Sequence, residues 1–298
     1  HGFLYDVVEH GKILGHEYSG TVCEVGSEVE KWKVGERVVG GGGTPPTGVV
    51  AGPATTEARF NYRTMGFHNS KSGAYAEYIL MEEWQPIAIP DDVSYEAAAL
   101  CEPCSIAVHA VRLSNLKIGD SVGVIGAGPI GLFCIQVAKA AGASSVIVSE
   151  PVKTRREAAL KVGADVVIDP TGEDVIKVME IMTDGLGPDV VFECASAKDT
   201  LEQSLNVVKR DGEVVVVAIA WESTSVLPAN WMAMEVSLKA SFGARPIDWK
   251  VALSLISSGD VDIAPMVSET SFIRLQDIQT AFESLVNPQS QVQVVVKP

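Results

Sequence analysis

Basic residues are in short supply in this chain. Among 298 residues, 23 Lys and Arg stand against 38 Asp and Glu, a formal net charge of −15. Nucleic acid, a polyanion that must be met by clustered cations, is therefore excluded as an expected partner, and an anionic membrane surface is disfavoured. Cysteines are few and odd in number, five in all, so they form no disulfide framework. Cys101 and Cys104 make a C-x-x-C pair without a second pair or a thioredoxin-like setting. Most of the cysteines read as small buried apolar residues in a reducing cytoplasm. No uninterrupted apolar run reaches membrane-spanning length. The longest tract, 122–148, is broken by Gly126, Gly128, Pro129 and Gly131 and carries Lys139, so no membrane span is expected. The first residues, HGFLYDVVE, lack the basic-then-apolar order of a secretory signal. They also lack an initiator Met, so the chain reads as a fragment. No Ser–His–Asp arrangement or nucleophile elbow points to covalent hydrolysis.

What the chain does have is a glycine turn in the sequence VGVIGAGPIGL at 122–132. Gly126, Gly128 and Gly131 stand at G-x-G-x-x-G spacing between an apolar strand and a helix. The first allows a tight turn, the second lets the backbone approach a pyrophosphate, and the third lets helix and strand pack closely. Pro129 and Ile130 open the helix, whose free N–H groups and positive dipole end face the phosphates. Three glycines in an apolar run are weak evidence alone, so the surrounding pattern decides.

That pattern divides the chain. Hydrophobic residues make up 47%, enough to bury a large core and to build two domains. Residues 1–39 read as short strands with frequent glycine, the signature of an antiparallel β-barrel or sandwich. Residues 40–73 form a long Gly/Pro/Thr/Ser lobe without periodicity. Strand character resumes at 72–80 and again at 87–92. A helical run from 94 to 113 starts at an N-cap Ser94 and is broken in its middle by Pro103. From 116 to 246, strands near 121–126, 145–150, 165–168, 188–193, 213–219 and 236–242 alternate with helices such as 153–162 and 200–208. This is a doubly wound α/β domain, the context the glycine turn requires. Residues 247–298 read as helices at 247–257 and 275–285 and a strand at 291–296, completing the first domain (1–115) around the inserted second one.

The strand at 145–149 ends in Glu150, about 20 residues beyond the glycines, where an acid accepts the adenosine ribose hydroxyls and favours NAD over NADP. Lys153, Arg155 and Arg156 follow and are able to tolerate a 2′-phosphate. A second constellation is polar. His16-Glu17 alone is more often surface or core than ligand, but Glu102 lies in an otherwise apolar run, where a carboxylate must be paired, hydrogen-bonded or metal-bound. His16 and Glu102 are able to converge on one cation between the domains. His10 and His68 read as solvated loop residues and His109 as a satisfied, partly buried helix residue. The stretch 221–234, with Trp221, Trp231, Met232 and Met234, reads as core or subunit contact.

The ordered motifs GHEYSGTV (15–22), KVGERV (33–38), GAYAEY (73–78), CEP (101–103) and GAGPIG (126–131) closely resemble the zinc-dependent medium-chain dehydrogenases. Glutamate before proline is most similar to the sorbitol, threonine and butanediol dehydrogenase branch. The resemblance spans the whole chain. It implies a GroES-like β-barrel catalytic domain joined to a Rossmann domain, and a homo-oligomer acting on a small alcohol or polyol. It implies His16 and Glu102 as ligands of one catalytic zinc, and Glu17 as a carboxylate beside the metal, ligating directly or through water. It implies His1 in a proton relay, Glu150 as the ribose-binding acid and Arg155 near the adenosine. Two departures stand out. The family's first zinc ligand, a cysteine, is expected before His1. The lobe at 40–73 has no cysteine, so no structural zinc is expected. The implied chemistry is hydride transfer between an alcohol and NAD. The rival expectations are a zinc-free NADPH-dependent quinone or enoyl reductase of the same superfamily, and a non-catalytic nucleotide-binding protein.

Overall fold

In a computed structural model, the described residues are 11, 13–44, 47, 73–220, 222–285 and 291–298. The second half holds one parallel sheet of six strands: β4 (Ser121–Ile125), β5 (Ser145–Ser149), β6 (Val166–Ile168), β7 (Val190–Glu193), β8 (Glu213–Val216) and β9 (Ser237–Ala240). Their order is β6-β5-β4-β7-β8-β9, the doubly wound arrangement with a switch point between β4 and β7. Helices cover both faces, so the central strands are continuous apolar runs rather than alternating ones. Val122, Val124, Val146, Val148, Val191, Phe192, Val214 and Val215 are wholly buried.

Ahead of this sheet lie β1 (Ser19–Thr21), β2 (Arg37–Val39) and β3 (Ile87–Ala88), paired antiparallel in that order. The strand expected at 72–80 does not form over its described part, 73–80. Gly73, Ala74 and Tyr75 instead donate from their backbone N–H groups to Ile13, Gly15 and Leu14 carbonyls at 2.7–2.9 Å, and the chain then bends away. The lobe at 45–72, apart from Thr47, lies outside the described residues, as do His1, His10, His68 and Trp221.

The helical run breaks at Leu100, not at Pro103. Helix α1 (Tyr95–Ala99) is capped by the Ser94 hydroxyl, which accepts from Ala97 N–H, and α2 (Cys101–Leu113) starts afresh. Pro103 falls in the first turn of α2, where N–H groups have no intrahelical partner and proline costs nothing. Helix α3 (Pro129–Ala140) follows the glycine turn, and α4 (Lys153–Lys161), α5 (Val175–Ile181), α6 (Thr200–Val207) and α7 (Pro228–Ala233) complete the crossovers. Helix α8 (Pro246–Ser258) packs on α2, and α2 packs on α3, in one core. The C-terminal return forms β10 (Phe272–Arg274), a 3₁₀ turn, α9 (Ile278–Ser284) and β11 (Val295–Lys297). It lies against the front of the chain: Lys297 pairs with Glu96 at 2.7 Å, and Tyr75 and Phe282 meet edge to face at 5.9 Å.

The residues expected as core or subunit contact at 221–234 divide. Trp231 is partly buried against the core beside β7 and β8, whereas Met232 and Met234 are exposed. A six-residue helix on the flank of the sheet turns only one side inward, which explains the difference. His109 is satisfied as expected, its Nδ1 lying 2.9 Å from Asp248 Oδ2. Cys101, Cys104 and Cys134 are buried and Cys194 is partly buried, in line with most of the cysteines being buried, while Cys23 is exposed in a loop beyond β1. Among the described residues, no helix is long and apolar enough to cross a membrane.

Candidate active site

The glycine turn sits at the carboxyl end of β4, at the switch point. Gly126 has φ of +95°, a left-handed conformation that side chains rarely adopt. At Gly131 a Cβ would lie 2.0 Å from the Gly126 carbonyl oxygen, so the helix can reach the turn only without a side chain. Gly128 is different: a Cβ there would meet nothing within 4 Å. The space before the N-terminus of α3 is open, which suits an approaching diphosphate. Pro129 occupies the first helical position, and Ile130 packs its side chain on the core.

Glu150 is 3% exposed. One carboxylate oxygen accepts from Ala127 N–H at 2.7 Å and the other from Val152 N–H at 2.8 Å. The acid therefore props the glycine turn from behind while each oxygen keeps a further acceptor direction. Arg156 leans back onto the Glu150 and Pro151 carbonyls and pairs with Asp169 at 2.7 Å. Arg155 lines the cleft instead, and its Nε is buried with no hydrogen-bond partner among the described residues. An open turn, a prepared helix terminus and an orphaned guanidinium nitrogen all fit a bound dinucleotide.

The polar constellation assembles from distant segments. His16 and Glu17 lead into β1, held by the backbone bonds between 13–15 and 73–75. Glu102 occupies the second position of α2, where the helix dipole favours a carboxylate. His16 Nε2 lies 3.7 Å from Glu102 Oε1. One ligand atom each from His16, Glu17 and Glu102 lies within 4.8 Å of the others. Tetrahedral ligands at zinc distances stand roughly 3.4 Å apart, so a small inward movement closes the set on an ion.

The electrostatics also ask for a cation. Burial lowers the His16 pKa to about 4, keeping the imidazole neutral and able to donate a lone pair. Burial, reinforced by the Glu17 charge, raises Glu102 to about 8, and crowding by the surrounding protein raises Glu17 as well, although that residue keeps an exposed side. Two crowded carboxylates disfavour each other's charge, and a divalent ion between them removes the conflict. Imidazole nitrogen with carboxylate oxygens is a donor set that suits zinc, with room for a further ligand.

One cleft of about 920 Å³ connects the two halves. His16, Glu17 and Tyr75 line it from the first domain, Pro129 and Arg155 from the nucleotide side, and Phe282 from the C-terminal return. Sequence reasoning missed Tyr75, whose hydroxyl pKa is raised by burial and by the Glu17 charge. Its place inside the GAYAEY motif was the available signal.

Fold and site together point to a dinucleotide-binding dehydrogenase with a cluster beside its cleft that could hold a metal ion. Comparison with known proteins agrees. A zinc-binding dehydrogenase model matches residues 129–258, and an alcohol dehydrogenase GroES-like domain model matches residues 2–91. The (R,R)-butanediol dehydrogenase of Bacillus subtilis is 35% identical over 289 residues, 96% of this chain and 80% of the relative. Sorbitol dehydrogenase of the same organism is 33% identical over 283 residues, 93% of this chain and 78% of the relative. The crystal structure of 2R,3R-butanediol dehydrogenase from Bacillus subtilis matches with a TM-score of 0.84 at 34% identity, covering 98% of this chain and 85% of that one. A structure described as a zinc-binding dehydrogenase from Sinorhizobium meliloti, bound to NADP, matches with a TM-score of 0.85 at 30% identity over 99% of this chain and 86% of that one. The chain belongs to the zinc-binding medium-chain alcohol dehydrogenase family. It is an oxidoreductase acting on CH–OH groups.

Proposed function

We propose that the protein transfers hydride between a secondary alcohol or polyol and NAD, with His16, Glu17 and Glu102 holding one zinc ion. The observation that carries this is the single cleft shared by His16 and Glu17 on one side and Pro129 and Arg155 on the other. When bound, zinc supplies Lewis-acid polarisation of the substrate oxygen, and nicotinamide supplies the hydride acceptor or donor. The chain's own part is placement. The turn at Gly126, Gly128 and Gly131 receives the diphosphate, Arg155 faces the cleft near the adenosine end, and Glu150 accepts ribose hydroxyls while fixing the turn. Tyr75 and Phe282 wall the cleft and keep water from the reacting centre. His1 serves as a proton relay.

NAD is preferred over NADP because Glu150 lies at the ribose position, although Arg155 and the NADP-bound relative make the comparison worth measuring directly. Polyols and vicinal diols are the substrate class, supported by the butanediol and sorbitol dehydrogenases among the relatives. Residues 247–298 belong with 1–115 as one catalytic domain, supported by the Lys297–Glu96 and Tyr75–Phe282 contacts. Residues 116–246 form the nucleotide domain. A homo-oligomer is supported by the outer edge of β9, which pairs with no strand among the described residues, beside the exposed Leu238, Met232 and Met234. The five free cysteines support a cytoplasmic location. The test is a panel of diols and polyols assayed with NAD and NADP on the full-length, zinc-analysed protein. Turnover of a vicinal diol with NAD supports the assignment. Activity on none of them, or equal activity after metal removal, contradicts it.

A further inference from the structure

We propose that Asp248 is a positioning residue for the metal cluster, acting from α8 through the rotation and slide of α2. The inference rests on the assignment of His16, Glu17 and Glu102 as metal ligands. Asp248 is 0% exposed, and an ionised carboxylate in such a place is tolerated only when its oxygens are met by donors. One oxygen, Oδ2, accepts from Arg245 N–H at 2.8 Å and from His109 Nδ1 at 2.9 Å. The other, Oδ1, accepts from Arg112 Nη1. Because the carboxylate only accepts, His109 carries its proton on Nδ1.

The donors lie on two elements that have to be kept in register. Arg245 closes the loop that leaves the carboxyl end of β9, at the nucleotide edge of the sheet. His109 and Arg112 lie one turn apart on α2. His109 is seven residues beyond Glu102, two helical turns along the same face. The neighbouring residue extends the grip: Cys101 Sγ lies 3.7 Å from the Trp249 carbonyl oxygen. Asp248 and Trp249 thus hold α2 beside Glu102 and again two to three turns later. The far end of α2 is tied too, since Lys239 of β9 donates to the Leu113 carbonyl at 3.1 Å and Asn115 donates to Glu213.

Well-packed apolar residues in place of the whole set, Asp248 with His109 and Arg112, would fill the same volume with equal or better stability, whereas an apolar residue at 248 alone would strand its donors. What a carboxylate adds is directionality, because donors from two elements can satisfy it in only one rotation of α2. Glu102 needs that rotation. One residue's worth of helix rotation is about 100°, whereas ligand positions must be held to within about 0.5 Å. Asp248 therefore fixes where Glu102 points relative to His16, and through α8 it fixes the cluster relative to the cofactor sheet.

The test measures zinc affinity by competition with a chromophoric chelator on the full-length protein, beside thermal melts of the metal-free form. Asp248→Asn keeps the shape but turns an amide N–H₂ toward one of the donors. Arg112→Lys, at a half-exposed position, keeps the charge and the fold but loses the guanidinium geometry. We expect zinc affinity to fall about 10-fold or more in Asp248→Asn, within the range seen for outer-shell partners, well below its melting temperature. A smaller fall is expected in Arg112→Lys. If Asp248→Asn does not fold, Arg112→Lys decides alone. Wild-type zinc affinity in the folded variants, with only a lower melting temperature, would overturn the proposal and leave Asp248 purely structural. Absence of zinc binding in the wild type would instead overturn the metal assignment itself.

Discussion

Replacing Gly128 by alanine should separate folding from cofactor binding. The residue has φ of −68° and ψ of −177°, which alanine adopts freely, and its Cβ would meet nothing within 4 Å. The folded state bears no steric cost, and the unfolded chain loses freedom, so stability should rise by about 0.4–1 kcal/mol. For a chain of this size that is roughly 1–3 °C in Tm. The same methyl group stands in the space where the backbone must approach a diphosphate. Loss of that approach is expected to raise the NAD dissociation constant about 10- to 100-fold, about 1.4–2.8 kcal/mol. Gly131→Ala is the control. Its Cβ would be 2.0 Å from the Gly126 oxygen, well inside the 3.0 Å that real contacts respect, and that oxygen is a backbone atom that cannot swing aside. That overpacking should cost about 1–3 kcal/mol of stability as well as affinity. Thermal melts without cofactor and NADH fluorescence titrations measure both quantities. If Gly128→Ala binds NADH as tightly as the wild type, the glycine turn is not the diphosphate site.

Three further outcomes follow from the same geometry. Phe133 is wholly buried in α3 at the centre of the larger core, and Phe133→Ala should cost about 3–5 kcal/mol in urea unfolding. Burial works against the charge on Asp189, but hydrogen bonds from Lys209 and Ser121 outweigh it and hold its pKa below the ordinary value of 3.8. Its contribution is therefore present above that value and is lost as pH falls through the lower folded-state pKa. Urea midpoints at pH 5 and pH 3 should converge in Asp189→Asn relative to the wild type. Arg155→Ala should weaken NADP binding at least as much as NAD binding, and an unchanged affinity for both would remove Arg155 from the cofactor site.

The six-strand sheet was legible because a doubly wound core writes long apolar runs between helices, and each strand appeared close to its expected place. The glycine turn was legible for the same reason, since φ and close approach leave glycine as the fitting residue. The small strands of the first domain were harder. Only two or three residues pair in each of β1, β2 and β3, and the bend at 73–80 bonds through backbone alone, without an alternating pattern. Pro103 misled because proline is neutral in a first turn, and nothing local to Leu100 announces the break. Glu102 was found through its cost in an apolar run. Asp248 carried the same kind of signal, but it stood where an ordinary helix-capping acid would stand. Its partners His109 and Arg112 lie more than a hundred residues away, so its role became visible only in the fold.

The most direct test of the central claim is zinc content measured together with NAD reduction by a vicinal diol, in the wild type and in Glu102→Gln of the full-length protein. The wild type should hold about one catalytic zinc per chain, in a His-and-carboxylate site that keeps an open position, and should lose turnover to a chelator. Glu102→Gln should lose both metal and turnover while its melting profile stays close to wild type. Undiminished diol oxidation by a metal-free Glu102→Gln would contradict zinc-dependent hydride transfer at this site.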